Sequence, residues 1–160
     1  MTAETFAATR QSPTALLDQD LVRTFVKSGF ARPDVEWGPE AERQWLLSRT
    51  ICLDAVGRYL DEGFDCVIDV YAPGPDDLWR RPVRKRGARF DTVVLRPSFE
   101  IAVARNQTRS DHEPTDAAAH GRNYETFAGP APVPGAVVID NTSISVVEVV
   151  RSIEQLLNWS

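Results

Sequence analysis

The chain is poor in the residues that mark metal and redox sites. It holds two cysteines and two histidines in 160 residues, and neither type recurs at the short spacings that bind zinc or pair catalytic thiols. Cys52 lies in a stretch expected to be helical and Cys66 in an expected strand, so both are expected to be buried, reduced thiols. There is no serine elbow and no recognisable Cys/His dyad, which excludes the common nucleophilic hydrolase patterns. No apolar run approaches a membrane span, and Met1 is followed by TAETFAATRQ rather than by a signal peptide, so the expected address is cytoplasmic. Positive charge is also in deficit. Against 18 Lys and Arg stand 23 Asp and Glu, a net charge of −5, which opposes general affinity for nucleic acid or anionic membrane.

What remains is the composition of a soluble globular domain, 42% hydrophobic and 26% charged, long enough for one core and read as a single domain over residues 1–160. Apolar runs at 14–18 (TALLD), 64–70 (FDCVIDV), 91–97 (DTVVLRP) and 135–140 (GAVVID) predict four strands. Between the first two, Pro39 to Glu62 carries apolar residues at near-helical spacing. Pro39 suits a first helical position, Glu40 and Glu42 suit the positive helix start, and Gly63 suits the stop. Ser98 reads as the N-cap of a helix FEIAVARNQTR, NYETFAG as a short helical piece, and 143–157 as a last amphipathic helix. Continuous apolar strands separated by helices predict an α/β fold: three layers, α/β/α, around a mostly parallel sheet covered on both faces.

Three features carry possible chemistry. Asp18 ends the first strand and Asp20 follows it, at the edge where parallel sheets bind ligands. A carboxylate there can deprotonate a hydroxyl or hold Mg²⁺ through water, and Arg23 can offer a planar fork to an acidic group. The plainer reading has Asp20 capping a helix that starts at Leu21, with Arg23 on its solvated face. Asp69 is the second feature, a carboxylate inside the apolar strand VIDV, where burial without a partner is costly. It either orients a metal-bound water or a substrate group, or is satisfied by a helix N-terminus. Arg105 and Arg109 form the third, an i, i+4 pair ahead of a polar segment. Such a pair can stabilise a transferring phosphoryl group, or it can be an exposed helix end. The basic run WRRPVRKRGAR, 79–89, and D-H-E, 111–113, read as surface.

Taken in order, the stations ALLDQDLVR, GFDCVIDV, TVVLRPSFEIAVARNQTR and GAVVIDNTS resemble the P-loop kinases of small molecules and polynucleotide 5′ ends. The likeness is to their AAA-like, chloramphenicol-phosphotransferase type, over about residues 12–158. The resemblance implies a kinase that uses ATP and Mg²⁺. In it Asp20 is the general base, Asp18 the metal-side carboxylate, Arg23 and Asp69 substrate residues, Arg105 and Arg109 nucleotide-phosphate residues, and about 110–123 a lid.

One part of that pattern is missing. The family's first strand and its G-x-x-x-x-G-K-S/T loop cradle the phosphates, and this sequence has no such motif; its first glycine is Gly29. MTAETFAATR resembles the helix that normally follows the loop. In the family's strand order, 2-3-1-4-5, the missing strand is central, so the VIDV and VVLRP strands are expected to lose their shared neighbour and expose two apolar edges capable of self-association. Two functional expectations follow. One is an ATP-dependent phosphotransferase of a hydroxyl-bearing small molecule, complete or N-terminally truncated. The other is a non-catalytic relative that binds a ligand or partner.

Overall fold

The computed structural model describes residues 2–32, 36–71, 76–108, 124 and 134–158. The chain forms two compact units, Met1–Phe90 and Asp91–Ser160. The expected lid at about 110–123 lies outside the described residues, as does the short helical piece near NYETFAG apart from Tyr124.

The first unit runs α1 (Thr2–Ala8), β1 (Thr14–Asp18), α2 (Gln19–Arg23), α3 (Pro39–Asp61), β2 (Asp65–Asp69) and α4 (Asp76–Arg84). β1 and β2 pair in parallel from Thr14↔Asp65 to Asp18↔Asp69. The signals around α3 act as their chemistry dictates. Pro39 opens the helix after Gly38, Glu62 is the C-cap, and Gly63 turns the chain at φ +79°, a conformation open to glycine. Along α3, Ala41, Gln44, Ser48, Cys52 and Val56 fall three and four residues apart and are all buried, so this stripe is the face turned to the core.

The basic run 79–89 departs from its expected surface role. It is helical to Arg84, and Trp79 and Val83, one turn apart, are buried. Pro82 hides this helix from a propensity reading, since an interior proline costs about 3 kcal/mol. Burying two large apolar side chains contributes about 1.5–3 kcal/mol each and offsets that cost. The arginines then find local roles. Arg80 lies over the Phe90 ring at 5.0 Å, and Arg86 donates from Nε and Nη2 to both oxygens of Asp61 at 2.6 Å.

The second unit runs β3 (Val93–Leu95), α5 (Phe99–Thr108), β4 (Val137–Ile139) and α6 (Val146–Leu157). β3 and β4 pair in parallel, Val93↔Val137 to Leu95↔Ile139. Bonds from Val137 N–H to Thr92 O and from Arg96 N–H to Ile139 O extend the ladder, each at 2.9 Å. Ser98 accepts from Ile101 N–H at 3.4 Å, as an N-cap of α5 should. α6 opens on a reciprocal capping box between Ser145 and Glu148 and buries Val149, Val150, Ile153 and Leu157.

Each sheet has two strands, β1–β2 and β3–β4. These are the neighbours expected when the strand between VIDV and VVLRP is absent, and among the described residues β2 and β3 each bond along one edge only. Apart from Ile139, which is buried, the strand residues are half-buried or exposed.

Candidate active site

In the first unit the strand tips gather the acidic residues. Asp18 is the N-cap of α2: its extended backbone ends β1, and its Oδ1 accepts from Leu21 N–H at 2.9 Å. The cap is therefore Asp18, not Asp20 as the plainer sequence reading had it, because α2 begins two residues earlier than expected. Asp20 is released from that task and is 62% exposed. It pairs with Arg23, whose Nη1 lies 3.1 Å from Asp20 Oδ1 and whose side chain is only 10% exposed. The Arg23 guanidinium also stands 5.6 Å from the Phe30 ring centre.

Asp69 ends β2 at the register position of Asp18 and is exposed, so the two carboxylates share one edge of the sheet. Gln19, 2% exposed, fixes this edge to α3 by donating from Nε2 to Trp45 O at 3.1 Å and Ser48 Oγ at 3.2 Å. The Cys52 thiol is pushed up to about 11 by burial and then by the Asp18 charge.

In the second unit Arg105 is anchored: its Nη2 donates to Asn141 O at 2.9 Å, just past the tip of β4. The same tip is ordered by Asp140, which accepts from Thr142 N–H at 2.9 Å and Thr142 Oγ1 at 2.6 Å. Those bonds, with the nearby Arg96 charge, hold the Asp140 carboxyl below the usual range. Thr142 Oγ1 in turn accepts from Ser98 N–H at 2.7 Å, joining the ends of β3 and β4. Arg109 lies outside the described residues.

No protein-family model matches the chain, and no curated protein matches it in sequence. Solved structures do. A tunicamycin resistance protein from Deinococcus radiodurans superposes with a TM-score of 0.66 at 13% identity, over 99% of this chain and 90% of that one. A protein from Chloroflexus aurantiacus J-10-fl, described as a candidate kinase, superposes with a TM-score of 0.58 at 19% identity, over 98% of this chain and 87% of that one. At such identities the likeness is one of fold. The chain has a P-loop kinase-like fold.

Within that P-loop kinase-like fold, one buried charged residue of α3 escaped the sequence reading. Arg49 is 3% exposed, and its guanidinium stacks 3.7 Å from the Trp45 ring centre and 5.8 Å from that of Trp79. Burial lowers its pKa. The available signal was Trp45 and Arg49 at i, i+4 on one helix face; nothing local announced Trp79. No group of three or more His, Cys, Asp or Glu able to hold a metal occurs among the described residues, and no described helix is long and apolar enough to cross a membrane.

Proposed function

We propose that residues 1–160 form the acceptor-binding part of an ATP-dependent phosphotransferase acting on a hydroxyl-bearing small molecule. They would act as one kinase-like domain with a lid at about 110–123. The observation that carries this reading is the convergence of Asp18, Asp20, Arg23 and Asp69 at the C-terminal edge of one parallel strand pair, the edge where α/β sheets bind ligands. The kinase description of one fold neighbour supports it. Asp20, exposed and oriented by Arg23, is the base for the acceptor hydroxyl. Arg23 and Asp69 contact the acceptor, and Arg105 and Arg109 contact the phosphates of the nucleotide.

Mg²⁺ needs few protein ligands, often one or two carboxylates with water. The Asp18 oxygen left over from the cap, beside Asp69, fits that demand, and Mg²⁺ held there would neutralise charge on the phosphates. The phosphate cradle is different. None of the 160 residues supplies G-x-x-x-x-G-K-S/T, so this reading draws a strand and loop from outside them. Such a strand would also give β2 and β3 the neighbour they lack among the described residues.

In-frame sequence upstream of Met1 should encode that strand and loop. The extended chain should then bind ATP–Mg²⁺ and transfer phosphate to an alcohol, with Asp20→Asn abolishing transfer but not nucleotide binding. An upstream stop codon with no such loop, or transfer undiminished in Asp20→Asn, overturns the proposal. The missing motif favours a second reading, a binding protein without turnover, which magnesium-dependent ATP turnover by the 160-residue chain would exclude.

A further inference from the structure

α3 carries apolar residues outside its buried stripe. Ala41, Gln44, Ser48, Cys52 and Val56 meet the core. On the side away from that stripe, Leu46 is 45%, Leu47 47% and Ile51 45% exposed. Phe25, 64% exposed, shares a concavity with Leu47 and Ile51 and widens this second face. The outer side of a surface helix is ordinarily polar, and large apolar side chains clustered in solvent mark protein interaction sites.

This face is laid out as interfaces are, apolar at the centre and charged at the rim. Between Leu46 and Ile51 the one exposed polar side chain is Thr50, whose Oγ1 already donates to Leu46 O at 3.0 Å. Covering it therefore strands no donor. Glu40 and Arg43 flank the centre on its N-terminal side, Asp54 and Arg58 on its C-terminal side, and all four are exposed. Steps of three and four residues (Glu40, Arg43, Leu47, Thr50, Asp54, Arg58) keep them on one helix face. Among the described residues Glu40 pairs with Arg43, while Asp54 and Arg58 form no ion pair.

The order of these charges selects an occupant. Along α3 they read minus, plus, minus, plus, and they stand symmetrically about positions 48 and 49. A second α3 laid antiparallel reads plus, minus, plus, minus, so each charge meets its opposite. A parallel copy would set each charge against its like, which is unfavourable. We infer that α3 pairs antiparallel with α3 of a second copy of this chain, about a two-fold axis near positions 48 and 49. Leu46, Leu47, Thr50 and Ile51 fill the centre, Arg43 of each copy faces Asp54 of the other, and Glu40 faces Arg58. From Glu40 to Arg58 the face is about 28 Å long and about 10 Å wide. That is less than the roughly 800 Å² per partner of a standard interface, so the dimer is weak, with a dissociation constant of tens to hundreds of micromolar. No part of this depends on phosphoryl transfer.

Sedimentation equilibrium of the 160-residue chain, read across the micromolar range, tests the pairing. A reversible monomer–dimer equilibrium is expected. Leu47→Glu and Ile51→Glu, at exposed positions that leave the helical circular dichroism unchanged, should each weaken it roughly tenfold or more. Asp54→Arg alone should weaken it as well, and Arg43→Glu combined with Asp54→Arg should restore it, because the swapped charges again face their opposites. A folded chain that stays monomeric throughout overturns the inference. So does a dimer indifferent to both glutamate variants, which would place the contact elsewhere, such as at the strand edges. A double charge variant no tighter than Asp54→Arg alone overturns the antiparallel arrangement and the inference with it.

Discussion

Asp18 and Asp69 occupy the same register position at the C-terminal end of the β1–β2 ladder. Neighbouring strands lie about 4.8 Å apart, so two carboxylates sit side by side where like charges destabilise a sheet. Asp18 nevertheless contributes to stability, because its Oδ1 caps α2. Asparagine keeps the capping oxygen and removes the charge, whereas alanine loses both. Asp18→Asn should therefore be at least as stable as the parent in urea unfolding, and Asp18→Ala less stable by about 1 kcal/mol. Equal losses in the two variants would mean that the cap is not what Asp18 supplies.

Gly57 is buried in α3 beneath the Arg86 guanidinium; an added Cβ would stand 3.1 Å from Arg86 Nη2. Alanine in a helix interior normally gains about 1 kcal/mol over glycine. Here Arg86 must move, and with it the two bonds to Asp61. The full gain should appear only when Gly57→Ala is combined with Arg86→Ala. Additive effects of the two substitutions in a double-mutant cycle would contradict the contact.

The Glu40 carboxyl is held down from its ordinary 4.5 to about 2, chiefly by the hydrogen-bonded Arg43 guanidinium and then by Gln44. A depressed folded-state value means that the stabilisation is fully present above about 4.5 and is lost as pH falls through about 2. Denaturation across this window should show parent and Glu40→Gln differing most at the upper end and converging at the lower. A gap that stays constant with pH would remove Glu40 from the acid response. Salt should narrow the gap, since the pair is exposed.

Cys52 and Cys66 are both free thiols, and burial pushes each up to about 11, with Asp18 and Asp65 adding to it respectively. Only the thiolate is a good nucleophile. An aromatic disulfide reagent near neutral pH should label both thiols slowly in the folded chain and rapidly in denaturant. Fast labelling of Cys52, which is fully buried, would show that the core opens readily.

Local chemistry was legible in the sequence. Pro39 and Gly63 bracketed α3 to within a residue, and the end of TALLD marked the tip of β1. The acidic edge could be anticipated because a strand end carries its last residue to the sheet's rim. Two things could not be read. Asp18 and Asp20 compete for one helix start, and their spacing alone does not say which wins; the backbone at Asp18, φ −100° and ψ 112°, decides it. α4 was hidden because Pro82 argues against a helix, while its reason to form, burial of Trp79 and Val83, lies in distant partners such as Arg49.

The strand pairings also bear on how quickly the chain can fold. Thr14 meets Asp65 and Val93 meets Val137, so each ladder closes a loop of about forty to fifty residues before its first bond forms. Contacts of that sequence separation slow folding relative to helix formation. α3 and α6, whose bonds are local, should gain structure early, and both ladders should be late events. Refolding followed by amide-exchange labelling should find protection in Gln44–Val56 before it appears at Leu17 or Val94.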